Sequence, residues 1–412
     1  MRKLHIGVLS EPDHFHTRKW VKALREAGAE VTVFSFFQDQ IPEAPCVYIP
    51  PVATRGGKFT YLSYLLTGQR LRKALEAHEV DVLNPINVTP YGVWGRWSGF
   101  RPMAMVSMGA DILEYPPRLH DALFPVNRAW SQPTHTDLRG LDRMVFAAKW
   151  HVFRSQVAAA LRASAFITGD NLHLVDSVRA YFGIDSAKVH LHRWGVEPEL
   201  FAATGSELTQ LRTALGIPEG KRLIISPRGL KPIYQGDIIL SAFEQLLEEG
   251  ACPDHQFVAL SAGYDIPAQL DAQARELAGR FEQFTYVPQI LPREQVLQLW
   301  NLCDVMISAP VYDGYSNALS EARYMGVVPV VNDIPASHEL IVHQQNGWIV
   351  EGAFTPDRLA RALREVMADL AGWKERFEKV NREWIEKNAL LSRNMAVFLE
   401  RCEALVADTS NS

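Results

Sequence analysis

CDVMISAPVYDGYSNALSEARYMGVVPVVNDIPASHELIVHQQNGWIV, residues 303–350, is the stretch whose reading decides the fold. The apolar run from Asp304 to Ser308 predicts a buried strand. A loop carrying Asp313 and Gly314 follows. A helix is expected to start near Asn317 and to hold Glu321 in its second turn. Gly326 ends that helix, and Val328 to Val331 predicts the next strand. Two acids therefore fall at the carboxyl end of a strand and at the head of a helix. Open parallel sheets bind ligands at that place, and backbone N–H groups at a helix head can hold phosphate.

The same alternation extends in both directions. Upstream, strands are predicted at Leu223–Ser226, Phe257–Ser261 and Phe284–Val287, and downstream at Trp348–Val350. In the first half they are predicted at Leu4–Leu9, Val31–Phe36, Val80–Leu83, Met103–Val106, Ala165–Thr168 and Val189–Leu191. Helices are expected at Thr17–Ala27, where Trp20, Leu24 and Ala27 share a face, and at Leu71–Ala77 and Val152–Ala163. Residues 198–221 are polar and punctuated by glycine and proline, which predicts a break between domains. The segment Glu114–Arg143 has little periodicity and predicts a long ordered excursion. Helix is expected throughout Pro356–Val406, more than one small sheet needs, so the terminal helices are predicted to cross back onto the first domain. The fold class expected is α/β, with two Rossmann-like domains facing a central cleft. The boundaries are 1–200, 201–385 and a terminal helix at 386–412.

A chain of 412 residues is too long for one ordinary core. Its composition, 47% hydrophobic and 22% charged, is that of a globular protein. The net charge of −5 gives no reason to expect nucleic acid as a partner. Arg118, Arg128, Arg139, Arg143, Lys149 and Arg154 cluster in sequence, and solvated helix faces explain them. Cys46, Cys252, Cys303 and Cys402 form no CxxC pair, which argues against zinc or a redox dithiol and fits a reducing cytosol. No signal peptide or spanning helix is expected. The predicted location is cytoplasmic, with a peripheral position at the inner face of a membrane as the alternative.

The spacing of Asp313 and Glu321 carries little weight alone. With 47 acids in the chain, roughly five such pairs arise by accident. Asp313 or Ser316 could equally serve as a helix cap. The full run, however, resembles the signature of retaining nucleotide-sugar glycosyltransferases of the GT-B fold, family GT4. Its elements stand here as Asp313-Gly314-Tyr315, Leu319-Ser320-Glu321-Ala322, Gly326, Pro329-Val330-Val331, Glu339 and Gly347. Ser226-Pro227-Arg228 resembles the family's Gly–Arg strand end. Arg193-Trp194-Gly195-Val196-Glu197 resembles the stretch closing its first domain. Val106-Ser107-Met108-Gly109-Ala110-Asp111 resembles its Thr–x–His–Gly–x–Asp loop, and His16-Thr17 also fits. The chain departs from the pattern in three places. Asp313 stands where most relatives have Glu, Met108 where many have a sugar-contacting histidine, and Gln235-Gly236 where Lys–Gly is usual.

The resemblance implies a donor site in the second domain. Arg228 and Lys231 would bind the diphosphate, helped by the backbone of Gly314, Tyr315, Ser316, Asn317, Ala318 and Leu319. Glu321 would accept hydrogen bonds from the ribose and Asp313 from the donor sugar, and Ile290 would contact the base. The catalytic set implied is Asp313, Glu321 and Arg228. The donor expected first is UDP-type, with GDP- or dTDP-type as alternatives. No cofactor and no metal are expected. The acceptor, a sugar, a lipid-linked sugar or another small molecule, would sit on the first domain, with His14, His16, Asn87, Gly109 and Asp111 as candidates. Three rivals remain: an oxidoreductase, disfavoured because GVLSEPDHFH lacks GxGxxG; an epimerase- or phosphorylase-like enzyme; and a non-catalytic sugar-nucleotide-binding protein.

Overall fold

The computed structural model describes residues 2–52, 61–109, 112, 140–261 and 266–410. The predicted excursion lies almost wholly outside the described residues, as does Asp111. The chain divides into two compact units. Among the described residues, unit 1 holds 2–52, 61–109, 112, 140–193 and 391–410, and unit 2 holds 194–261 and 266–390.

Unit 1 contains β1 (His5–Leu9), β2 (Glu30–Ser35), β3 (Cys46–Tyr48), β4 (Val82–Pro85), β5 (Ala104–Ser107), β6 (Phe166–Gly169) and β7 (Val189–Leu191). They form two parallel ladders, β3-β2-β1-β4 and β5-β6-β7. The seam between them is closed by parallel bridges, Leu83 to Met103 and Ile86 to Val106. Asn84 reinforces it: its Nδ2 donates to Ala104 O at 2.7 Å, and its Oδ1 accepts from Trp20 Nε1 at 2.8 Å. Both polar ends of a fully buried amide are thereby satisfied.

Unit 2 is one parallel sheet of β8 (Arg222–Ser226), β9 (His255–Leu260), β10 (Phe284–Val287), β11 (Cys303–Ser308), β12 (Val328–Asn332) and β13 (Trp348–Val350), in the order β10-β9-β8-β11-β12-β13. The strands are buried on both faces, which is why they read as continuous apolar runs rather than as alternation. Every strand expected from the sequence is present within a residue or two. β3 was not expected, being three residues of no clear pattern. The helix Gly205–Ala214 corrects the reading of 198–221 as a mere break. Only Leu211 of that helix is buried, so it lacks an apolar stripe, but Thr204 and Glu207 hold its start in a capping box.

Helices Pro356–Ala368 and Leu370–Asn388 belong to unit 2, and Leu391–Ser410 belongs to unit 1. The terminal crossing is therefore real, and it is made by that last helix. Leu391, Met395, Phe398 and Cys402 recur at helical spacing and are buried. Phe398 stands edge-on to Trp20 at 5.0 Å and to Phe166 at 5.5 Å.

His192 lies in the same aromatic cluster, 5.2 Å from Trp20 and 5.6 Å from Phe398. Its Nε2 has no hydrogen-bond partner among the described residues. Burial, with repulsion from Arg401, pushes its pKa down to about 3. The folded ring is thus neutral, whereas the unfolded ring takes up a proton below an ordinary value of 6.5. This contribution to stability is complete above that pH and is lost as pH falls toward the folded value. We expect about 1.5 kcal/mol to be lost between about pH 6.5 and about pH 5 by this route. Denaturant unfolding at the two pH values should show it, and His192→Leu should remove it; an unchanged slope would place the acid sensitivity elsewhere.

Candidate functional site

In unit 2 the strand order reverses between β8 and β11, and the loops after these two strands part there. Arg228 follows β8 and Asp313 follows β11. They meet as a two-pronged ion pair, with Nη1 on Oδ2 and Nη2 on Oδ1, the latter at 3.2 Å. The side chains are 18% and 15% exposed. The guanidinium also lies 4.5 Å from the centre of the Tyr234 ring. Burial opposes its charge, but Asp313 and Tyr234 outweigh that and hold Arg228 protonated more firmly than usual.

The two loops are tied by one backbone and one side-chain hydrogen bond. Val311 N donates to Ile233 O at 2.7 Å, and Gln235 Nε2 donates to Ala309 O at 3.1 Å. Gln235 takes a left-handed conformation (φ 51°) just before the helix Gly236–Glu248. It therefore serves the turn, and the positive charge nearest by sequence is the half-buried Lys231.

The helix Asn317–Tyr324 is capped by Ser316, whose side chain accepts from Leu319 N at 3.3 Å. Capping thus falls to Ser316 and leaves Asp313 to Arg228. It also occupies the Leu319 amide, so that amide is less available to a ligand than expected. The amides of Asn317 and Ala318 precede the first intrahelical bond. Glu321, 1% exposed, receives both terminal nitrogens of Arg293, Nη1 on Oε2 at 3.1 Å and Nη2 on Oε1. Trp300 Nε1 donates to Oε2 at 3.3 Å. Ile290, in the loop after β10, is 43% exposed. Arg293 and Trp300 were not found from the sequence. They lie 28 and 21 residues before Glu321 and belong to no motif that the spacing could flag.

Unit 1 has its own reversal, between β1 and β4. A cavity of about 320 Å³ opens at these strand ends, with Ser10, His14, Phe36, Asn87, Tyr91 and Met108 in its wall. Phe36 stacks on Trp94 at 3.7 Å. Asn87 has φ 75°, a conformation asparagine tolerates better than most residues. Its N donates to Val106 O at 2.8 Å and its O accepts from Gly92 N at 3.0 Å. His14 caps the helix Phe15–Glu26 by accepting from His16 N, so part of its role is structural. Gly109 is buried with φ 99° and accepts from Ile112 N. The structure thus brings His14, Asn87 and Met108 to one cavity. Among the described residues no group of His, Cys, Asp or Glu could hold a metal ion, and no helix is long and apolar enough to cross a membrane.

Two family models match. Residues 209–387 match "Glycosyl transferases group 1" and residues 5–132 match "Glycosyl transferase 4-like". The amylovoran biosynthesis glycosyltransferase AmsK of Erwinia amylovora is 25% identical over 196 residues, 46% of this chain and 43% of that protein. The chain thus matches less than half the length of that relative. Among solved structures, sucrose-phosphate synthase of Thermosynechococcus elongatus superposes with a TM-score of 0.74 at 13% identity, covering 98% of this chain and 100% of the other. HepE of Anabaena, in complex with UDP-glucose, superposes with a TM-score of 0.69 at 14% identity, covering 97% and 99%. At these identities the superpositions show the GT-B fold.

Gly236 sets how closely the loop after β8 packs. A Cβ on it would stand 2.7 Å from Leu230 Cα and 2.9 Å from Leu230 C, both backbone atoms. Gly236→Ala should therefore cost about 1–3 kcal/mol in thermal unfolding. Gly279→Ala, in the helix Ala268–Arg280, meets nothing within 4 Å and should melt at or above the parent. Equal melting of the two variants would contradict this packing.

Proposed function

The chain belongs to the glycosyl transferases group 1, family GT4, and from that premise we propose that it transfers a sugar from a nucleotide-diphosphate sugar to an acceptor with retention of anomeric configuration. Unit 2 binds the donor and unit 1 the acceptor. The observation that carries this reading is the Arg228–Asp313 pair across the strand-order reversal of unit 2. It puts a guanidinium fork suited to phosphate beside an acid suited to sugar hydroxyls, at the mouth where open sheets take nucleotides.

The chemistry follows from charge. Cleaving the sugar–phosphate bond sends its electron pair to the diphosphate and leaves positive character on the anomeric carbon. Arg228, Lys231 and the amides of Asn317 and Ala318 stabilise the leaving group from fixed positions. Asp313 orients the sugar and Glu321 the ribose. The acceptor hydroxyl attacks from the face the phosphate leaves, and a departing phosphate oxygen takes its proton. No covalent sugar–enzyme intermediate is required. The donor is UDP-type in the first instance, with the base against the loop of Ile290; the neighbour solved with UDP-glucose supports that order. The acceptor is a sugar, lipid-linked sugar or other small molecule taken by the cavity of His14, Asn87 and Met108, and the product is a glycan, glycolipid or other glycoconjugate.

A thermal-shift panel of UDP, GDP, dTDP and NAD(P) tests the donor class: a nucleoside diphosphate should raise the melting temperature and NAD(P) should not. Arg228→Ala and Glu321→Gln should each lower kcat/KM by about two to three orders of magnitude while circular dichroism stays native. Near-parental turnover in either would remove the donor site from this crevice. NMR of the product should show the donor's anomeric configuration preserved; an inverted product would sink the mechanism.

A further inference from the structure

We propose that Arg293 is a further donor-site residue, one that holds Glu321 in the free protein and bridges it to the nucleotide's phosphate when the ribose binds. The inference rests on the donor reading above and begins from a count of acceptor positions. A carboxylate offers four lone-pair positions. The Arg293 fork takes two of those on Glu321 and Trp300 Nε1 takes a third. A ribose presents a vicinal pair of hydroxyls, and one remaining position cannot accept both. One protein donor must give way. Trp300 is 1% exposed and packed, whereas the Arg293 side chain is 32% exposed.

Complete release is disfavoured. It would leave Glu321 charged and buried with only neutral hydroxyls and an indole around it, and an ion stripped of its partner in such a place is strongly destabilising. A guanidinium has five N–H donors. Arg293 can therefore keep one on Glu321 and present others elsewhere, and the anion that arrives with the ribose is the phosphate. The geometry favours that direction. Glu321 lies four residues after Asn317, about 6 Å along the helix axis. Helical side chains tilt toward the N-terminus, so its carboxylate leans toward the head of the helix, where Ser316 and Asn317 stand. Arg293 meets that carboxylate with both terminal nitrogens. It opens the helix Arg293–Leu299, directly after the loop of Ile290.

The test compares a nucleoside with its diphosphate: uridine and UDP, or the guanosine or thymidine pair where the panel selects that base. Affinities are measured by calorimetry. Arg293→Gln keeps a donor for Glu321 but no charge. It should weaken diphosphate binding by about tenfold or more and change nucleoside binding by less than about threefold. Arg293→Lys, which keeps the charge without the fork, should fall between parent and Arg293→Gln for the diphosphate. Equal weakening of both ligands would make Arg293 a purely structural support of Glu321, and unchanged or tighter diphosphate binding would make it a competitor only; either overturns the proposal. Failure of both variants to fold, seen by circular dichroism, would also assign Arg293 to structure. Failure of the donor reading itself looks different, because Glu321→Gln would then leave both ligands unaffected.

Discussion

Arg228 and Asp313 leave neighbouring strands of one sheet and meet across the gap between their loops. The strand order makes that gap. The chain after β8 turns toward β9 while the chain after β11 turns toward β12 on the other side. Right-handed crossovers then send the following helices to opposite faces, so the two loops diverge. An ion pair is one of few contacts that can hold diverging loops together and still be exchanged for a ligand. Its neighbours are a backbone bond from Val311 N to Ile233 O and two side-chain bonds to backbone carbonyls, Gln235 Nε2 to Ala309 O and, from the next strand end, Asn332 Nδ2 to Pro310 O at 2.7 Å. Removing one charge of the pair would leave the other partly buried, at a cost of about 3 kcal/mol or more.

The sheets were legible in the sequence because both faces are covered. Strands such as Leu223–Ser226 and Val328–Val331 read as short apolar runs bounded by turn residues, and the structure extends them by one residue each. The helix Gly205–Ala214 was missed for the converse reason. It buries little, and its one strong signal is the capping box Thr204–Glu207, which composition hides. The site divides the same way. Arg228, Asp313, Ser316 and Glu321 sit at strand ends and a helix head, places that local pattern marks. Arg293 and Trp300 reach Glu321 only through the packing of one helix beside another, and no local pattern records that.

Unit 1 repeats the rule with different chemistry. Its reversal lies between β1 and β4, and the cavity found there is walled by aromatic and polar side chains rather than by an ion pair. His14 shows how a residue can hold two roles. Its Nδ1 caps its own helix, which fixes the ring and turns the rest of it to the cavity wall. Met108 lies in that wall, where it contributes apolar surface and no hydrogen bond donor. Asn87, with its uncommon backbone, is pinned by two backbone hydrogen bonds on either side of its own α-carbon.

The charge balance of the unit 2 site joins these points. Arg228 and Arg293 are matched by Asp313 and Glu321, so the four groups sum to zero in the free protein. A chain with a net charge of −5 can carry such a site without a patch of bare positive charge that would collect unrelated anions. The cost of bringing the guanidinium groups out of water is met during folding, by the acids beside them. In the donor reading proposed above, a diphosphate shares cations already in place, and the amides of Asn317 and Ala318 add a fixed dipole that needs no reorganisation. In that reading the positive potential for transfer is stored as ion pairs. It becomes available when a ligand offers hydroxyls to the acids and phosphate to the arginines together. A free phosphate offers only half of that exchange, and a free sugar the other half.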